Sequence, residues 1–420
     1  MPANNPEWLT DGVGHVWRPY CQMKTAAPAL AVDSTNGVEI HLNDGRTLID
    51  GIGSWWTAVH GYNHPHIMAA ISAQLAKMPH IMFGGLAHEP AYRLAARLAK
   101  LLPGDLNHVF FAESGSVSVE IAMKMAVQYW RNSGATGRTK FLSFLGGYHG
   151  DTFATMSICD PEEGMHTIFA NVMAAQHVVG LPVDAASTVA LAAYLAEYAH
   201  EIAAIIVEPL VQGAGGMLMH NPDVLRTLRR LADAHGMLLI FDEIFTGFGR
   251  TGTLFAMQSA GVEPDIVTLS KALTGGVLPL SCAVASTRVF AAFWSDDPMA
   301  ALMHGPTYMA NPLGCAAANA SLDLFEDGTW QARVSAISAQ LTIGLAPCRS
   351  LPGVVDVRVL GAIGAVEVDK SIDLKRVASA CHAAGCFIRP FGRIVYLTPA
   401  YSISEPDLAR LCAAIVSSLS

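Results

Sequence analysis

Residues 237–276 read MLLIFDEIFTGFGRTGTLFAMQSAGVEPDIVTLSKALTGG. Two apolar runs, 237–241 and 266–270, each lead straight into a charged residue, Asp242 after the first and Lys271 after the second. Both runs are continuously apolar rather than alternating, which predicts strands buried on both faces, as in a mostly parallel sheet. Open α/β sheets bind ligands beyond the carboxyl ends of their strands. If these two strands are parallel, Asp242 and Lys271 emerge on the same edge. The following Ala272-Leu273-Thr274-Gly275-Gly276 is small enough to let a bulky group approach the backbone.

The same pattern extends outward. Similar runs occur at 108–112, 140–144, 203–207 and 281–285. Between them, 116–131 and 221–235 carry apolar residues at helical spacing. Strands alternating with helices predict a three-layer α/β domain. Toward the N-terminus, 38–42 and 47–49 flank Asn43-Asp44-Gly45 and read as a hairpin. The C-terminal part reads as helix near 335–346, strands at 354–359 and 362–368, helix near 374–384, strand at 394–397 and a last helix from 405. This is a smaller α+β domain, which the N-terminal segment joins. The division is 1–60 for that segment, 61–310 for the large domain and 311–420 for the small one.

Composition limits the function without naming it. The chain has 420 residues, 52% of them hydrophobic, and a formal net charge of −9. A mildly acidic chain without a basic arm is a poor non-specific nucleic-acid binder. The 8 cysteines form no C-x-x-C pair, which fits reduced thiols rather than disulfides or a metal site. Residues 1–11 lack the basic and apolar regions of a signal peptide. The longest stretch without Asp, Glu, Lys or Arg, 298–322, holds prolines, asparagines and His304, so it does not read as a membrane span. The expectation is a cytoplasmic protein.

Two readings of Lys271 and Asp242 stand at this point. One is a buried structural ion pair. The other is a lysine that holds pyridoxal 5′-phosphate (PLP) as a Schiff base, with a carboxylate for the ring nitrogen. Two further constellations bear on the choice. Glu113-Ser114-Gly115-Ser116-Val117 follows one strand and opens a helix, where backbone N–H groups can take a phosphate or a serine can simply cap. Gly146-Gly147-Tyr148-His149-Gly150-Asp151 follows another strand, and its tyrosine can stack on a flat ring. His149 and Asp151, taken alone, read as structural. No G-x-G-x-x-G follows the first strand, which argues against a dinucleotide site.

In this order the motifs resemble the class-III aminotransferases. The resemblance rests on Asp242-Glu243-Ile244, Ser270-Lys271-Ala272-Leu273-Thr274-Gly275-Gly276, Phe248-Gly249-Arg250-Thr251-Gly252, Gly147-Tyr148-His149-Gly150 and Glu208-Pro209. It covers residues 17–411 and implies the PLP-dependent transferase fold type I. Ser54-Trp55-Trp56, Gly61-Tyr62-Asn63-His64-Pro65, Met82-Phe83-Gly84-Gly85, Met303-His304-Gly305-Pro306-Thr307 and Ile388-Arg389-Pro390-Phe391-Gly392 narrow it further. They are similar to the branch that moves an amino group from S-adenosylmethionine to 8-amino-7-oxononanoate in biotin synthesis.

The resemblance implies roles. Lys271, Asp242 and Tyr20 would be catalytic. Gly115 and Ser116 would bind phosphate, with Pro306 and Thr307 reaching in from a second subunit of a homodimer, and Tyr148 would stack on the ring. Tyr20, Trp55, Trp56, Tyr148, Lys271, Gly305 and Arg389 would line the substrate site. Arg250 would contact substrate or pair with an acid. No metal is implied. The chain departs from the family pattern at Arg18, at Phe245 and at Leu397-Thr398-Pro399-Ala400-Tyr401.

Overall fold

The six apolar runs all become strands of one sheet. A computed structural model describes residues 6–161, 167–169 and 171–420; the first five residues of the segment read for a leader lie outside these. The sheet has seven strands, ordered Leu106–Ala112, Ser281–Ser286, Ile266–Leu269, Leu238–Asp242, Ile202–Val207, Lys140–Phe144 and His177–Val179. Ser281–Ser286 runs antiparallel to both neighbours, and the other pairings are parallel. The edge strand His177–Val179 is too short to stand out as an apolar run.

Alternation across this sheet builds two cores. Leu239, Phe241, Val267 and Leu269 face one layer, where Leu225 and Leu228 of helix Pro222–Ala234 pack. Leu238, Ile240 and Ile266 face the other, with Val119, Ala122, Met123 and Ala126 of helix Gly115–Asn132. Burial on both sides is why these strands carry no polar alternation. The expected three-layer α/β architecture is therefore present. Capping sets where the helices begin: Ser114 accepts from Val117 N–H, and Asn221 accepts from Asp223 N–H ahead of Pro222.

The termini meet elsewhere. Strands Val32–Asn36, Glu39–Leu42 and Thr47–Asp50 form a sheet completed by Cys386–Phe387, which pairs in parallel with Ile49 and Asp50. A three-stranded antiparallel sheet of Val354–Leu360, Ile363–Val368 and Ile394–Leu397 lies in the C-terminal part, with helices Thr329–Leu345 and Glu405–Leu419. Helix Pro312–Glu326 packs on helices Pro65–Lys77 and Glu89–Leu101 and on the Lys271–Thr274 turn. All eight cysteines are free thiols. Among the described residues no helix is long and apolar enough to cross a membrane.

Candidate active site

Asp242 ends its strand in parallel register with Thr268, and Lys271 follows three residues later on the neighbouring strand. Both therefore reach the same carboxyl edge of the sheet. The Asp242 carboxylate is buried, and both of its oxygens accept hydrogen bonds. Its Oδ2 accepts from His149 Nδ1 at 2.8 Å, and its Oδ1 accepts from Ile244 N at 3.2 Å and Thr268 Oγ1 at 3.3 Å. Among the described residues the Asp242 carboxylate contacts His149, and no ion pair joins it to Lys271. The structural Lys–Asp pair is thus not what the fold builds.

Lys271 sits at a left-handed φ of 43° where the strand breaks into a short 3-10 turn. Its Nζ lies 5.0 Å from the centre of the Trp56 ring. Burial pushes its amine below the usual lysine value, against the pull of Asp242, Glu208 and Asp151. An amine held toward neutrality in this way is a usable base and nucleophile.

The two loops beside this pair close on each other. Asp151 N–H donates to Ser116 Oγ at 3.0 Å. A Cβ at Gly150, whose φ is 135°, would collide with Ser116, so only glycine allows the approach. Ser114 caps the Val117 amide, which leaves the Gly115 and Ser116 amides at the helix start to face an anion. Tyr148 extends from the second loop. Its hydroxyl donates to Asp151 Oδ1 at 2.9 Å and lies 3.3 Å from Tyr20 Oη, while Tyr20 also bonds to Asp151 Oδ2. Burial, then Asp151, drives the Tyr20 phenol up to about 12, and burial raises Tyr148 well above its usual range. Both stay protonated donors.

Trp55, Arg389 and Tyr20 form a second wall. The guanidinium of Arg389 lies 4.3 Å above the Trp55 ring, and the Tyr20 ring meets Trp55 edge-on at 6.0 Å. Trp56 turns the other way, onto Phe245 at 4.3 Å and Tyr396 at 6.1 Å. Phe245 fills space beside Trp56 and packs so tightly on Gly213 that a Cβ there would lie 2.7 Å away. The turn carrying the tryptophans is strained: Ser54, Trp55 and Trp56 have φ of 48°, 62° and 76°. Such a conformation costs roughly 1–2 kcal/mol per non-glycine residue.

These features bring together a buried amine, a buried carboxylate on the same sheet edge, amides at a helix start and an aromatic wall. That set fits PLP. Residues 20–419 match the family described as Aminotransferase class-III.

The chain belongs to the class-III aminotransferases.

Among curated members of this family, it is 44% identical to the adenosylmethionine-8-amino-7-oxononanoate aminotransferase of Corynebacterium glutamicum, over 96% of both chains. It is 46% identical to the enzyme of the same name from Mycobacterium leprae, over 96% of this chain and 94% of that one. The solved structure of the Methanocaldococcus jannaschii enzyme of that name superposes with a TM-score of 0.93 at 30% identity, covering 98% of each chain. A PLP-bound amine transaminase from an uncultivated Pseudomonas species superposes at 0.88 with 33% identity, over 96% of this chain and 98% of that one.

Not every residue that the class-III resemblance named comes together within one subunit. Gly305, Pro306 and Thr307 lie in a loop that Lys124 holds through Met303 O at 2.7 Å and His304 Nδ1 at 3.2 Å. Among the described residues no hydrogen bond joins this loop to Gly115, Ser116 or Lys271. Arg250 is buried, and its Nη1 donates to Ala362 O at 3.1 Å and Pro399 O at 2.9 Å. It forms no ion pair among the described residues, and its Nε and Nη2 have no hydrogen-bond partner there. Arg18 donates to Ala27 O at 2.9 Å.

Three residues of this class-III aminotransferase escaped the sequence reading as site members. His149 holds Asp242, and Asp151 holds both tyrosines. Glu208 follows the strand beside Asp242, where Phe241 pairs with Val207, so it stands level with Asp242. Its carboxylate accepts from Tyr148 N at 3.0 Å and Gly213 N at 2.9 Å. Burial pushes its pKa up to about 7. The rule that found Asp242, an acid just past a buried strand, also finds Glu208.

Proposed function

We propose that this chain binds PLP and transfers the amino group of S-adenosylmethionine to 8-amino-7-oxononanoate, giving 7,8-diaminononanoate for biotin. The observation that carries this reading is the adjacent tryptophan pair, which puts Trp56 against Lys271 Nζ at 5.0 Å and Trp55 against Arg389 and Tyr20. The names of the relatives support the substrate pair.

Lys271 would hold the cofactor covalently, Asp242 its ring nitrogen, and Gly115 and Ser116 its phosphate, with Pro306 and Thr307 of the partner subunit. Tyr148 would cover the ring. Bound there, PLP supplies a carbonyl that condenses with amines and a ring that takes up the electrons of a breaking C–H bond. Lys271 Nζ, kept toward neutrality by burial, takes the proton from the donor's α-carbon and returns it. Arg389 offers a planar fork to a substrate carboxylate. The faces of Trp55 and Tyr20 suit a sulfonium cation in one half-reaction and an alkyl chain in the other. Gly305 adds to this wall.

The protein works as a cytoplasmic homodimer. Support comes from the exposed Met303 and Tyr308 that flank the 305–307 loop in the chain, with the Tyr308 ring tilted against His80 at 4.6 Å. The domain division is 1–60 and 311–420 around 61–310, with helix Pro312–Glu326 bridging the two.

The test mixes holoenzyme with S-adenosylmethionine alone and follows the cofactor's long-wavelength absorbance. Its loss is the expected result. Loss with ornithine or 4-aminobutyrate, and none with S-adenosylmethionine, overturns the substrate assignment.

A further inference from the structure

The turn that carries the two tryptophans has an unusual backbone. Gly53, Ser54, Trp55 and Trp56 are consecutive residues in the left-handed region, with φ of 54°, 48°, 62° and 76°. Only the first is a glycine, so the local sequence does not favour this conformation. It persists only if its surroundings over-determine it.

The surroundings do so through one carboxylate. Asp50 is 2% exposed and pairs with no cation among the described residues. Its Oδ1 accepts from Ile52 N at 2.8 Å. Its Oδ2 accepts from Ser54 N at 2.7 Å and from Tyr62 Oη at 2.6 Å. The turn is also stitched to the C-terminal part: Thr398 N donates to Gly51 O at 2.8 Å and Thr398 Oγ1 to Ile52 O at 3.2 Å. A Cβ on Gly53 would lie 2.9 Å from Thr398 O, so the two segments touch backbone to backbone. A buried carboxylate spent on two amides and a phenol is an expensive way to make an ordinary turn. Here it separates adjacent tryptophans, one onto Arg389 and the other onto Lys271.

We propose that Asp50 and Tyr62 are a positioning pair that fixes Trp55 and Trp56 in this turn and so sets the fit of the substrate against Arg389. The proposal rests on the reading that Trp55 and Arg389 line the substrate site. It assigns to Asp50 and Tyr62 a role in substrate affinity, not in the chemical step and not in cofactor retention.

Holoenzymes of Tyr62→Phe and Asp50→Asn test it. The expected result is a KM for 8-amino-7-oxononanoate raised by about 10-fold, the effect of losing one charge-assisted hydrogen bond, with a larger rise for Asp50→Asn. kcat should stay within about 2-fold and bound cofactor unchanged, because Lys271 and Asp242 keep their contacts. Val289→Ala, a change in the other core layer from the one that holds Trp56, should lower Tm without moving KM. An unchanged KM in Tyr62→Phe overturns the proposal, as does a KM that rises only together with cofactor loss. If Asp50→Asn does not fold, Tyr62→Phe decides. Arg389→Ala is run alongside. An unchanged KM there sinks the substrate-site reading, whereas a raised KM there and an unchanged one in Tyr62→Phe sinks the positioning pair alone.

Discussion

His149 Nδ1 donates to Asp242 Oδ2 across 2.8 Å, with both side chains buried. The imidazole fixes one carboxylate oxygen while Thr268 and Ile244 fix the other, so Asp242 cannot rotate away from the edge it shares with Lys271. Removing His149 leaves a buried acceptor one donor short, which costs about 1–3 kcal/mol. His149→Ala is therefore expected to lower kcat/KM about 10- to 100-fold and to release PLP faster on dialysis. Wild-type values in both measurements would mean that the pair serves folding only.

Lys271 carries the most direct prediction. Lys271→Ala should lose the covalently held cofactor, visible as loss of its absorbance after desalting, and should lose steady-state turnover. Retained turnover would remove Lys271 from the mechanism.

Arg389 lies open-handed on Trp55, with its fork available to a carboxylate. Losing a charge-assisted contact costs about 1.5–3 kcal/mol, so Arg389→Ala should raise the KM for 8-amino-7-oxononanoate about 10- to 100-fold. Arg389→Lys keeps the charge but not the fork, and its KM should fall between the two. Steady-state kinetics over the acceptor concentration decides this.

Glu208 gives a pH dependence. Burial raises its folded pKa from 4.5 to about 7. The folded protein then holds a proton that the unfolded chain releases between these values. The stabilisation is full below the unfolded pKa and is lost as pH rises through the folded one. Tm of the wild type should fall from about pH 5 to about pH 8 relative to Glu208→Gln, which cannot ionise. Parallel Tm curves for the two proteins would show that Glu208 does not titrate in this window.

The loop at 305–307 predicts a shared site. Lys271→Ala and Thr307→Glu subunits are each expected to be inactive alone. Mixed and reassembled at random, half of the dimers are hybrids and one of their two sites is intact, so about one quarter of wild-type activity should return. No recovery after demonstrated exchange would place Thr307 in its own subunit's site.

The edge of the sheet was legible in the chain because burial on both faces leaves a direct mark, a short run without polar residues. The Asp242 and Lys271 strands carry that mark, and topology then puts their ends together whatever the distant contacts are. Gly115, Ser116 and Tyr148 were legible for the same reason, since each follows such a run. Glu208 follows one too, directly after the strand that ends at Val207. The helices were readable from caps and spacing. What the chain could not announce are contacts made across long separations. Asp50 looks like any hairpin acid, and His149 like a loop residue between glycines. The direction of Arg389 and the left-handed turn at Trp55 depend on where Thr398 and Tyr62 arrive, and no local period encodes that. Sequence alone thus determined the sheet and the residues at its edge, because burial is a local property of each strand. Only the tertiary structure decided which side chains hold those residues in place, because hydrogen-bond partners are chosen by packing between distant segments.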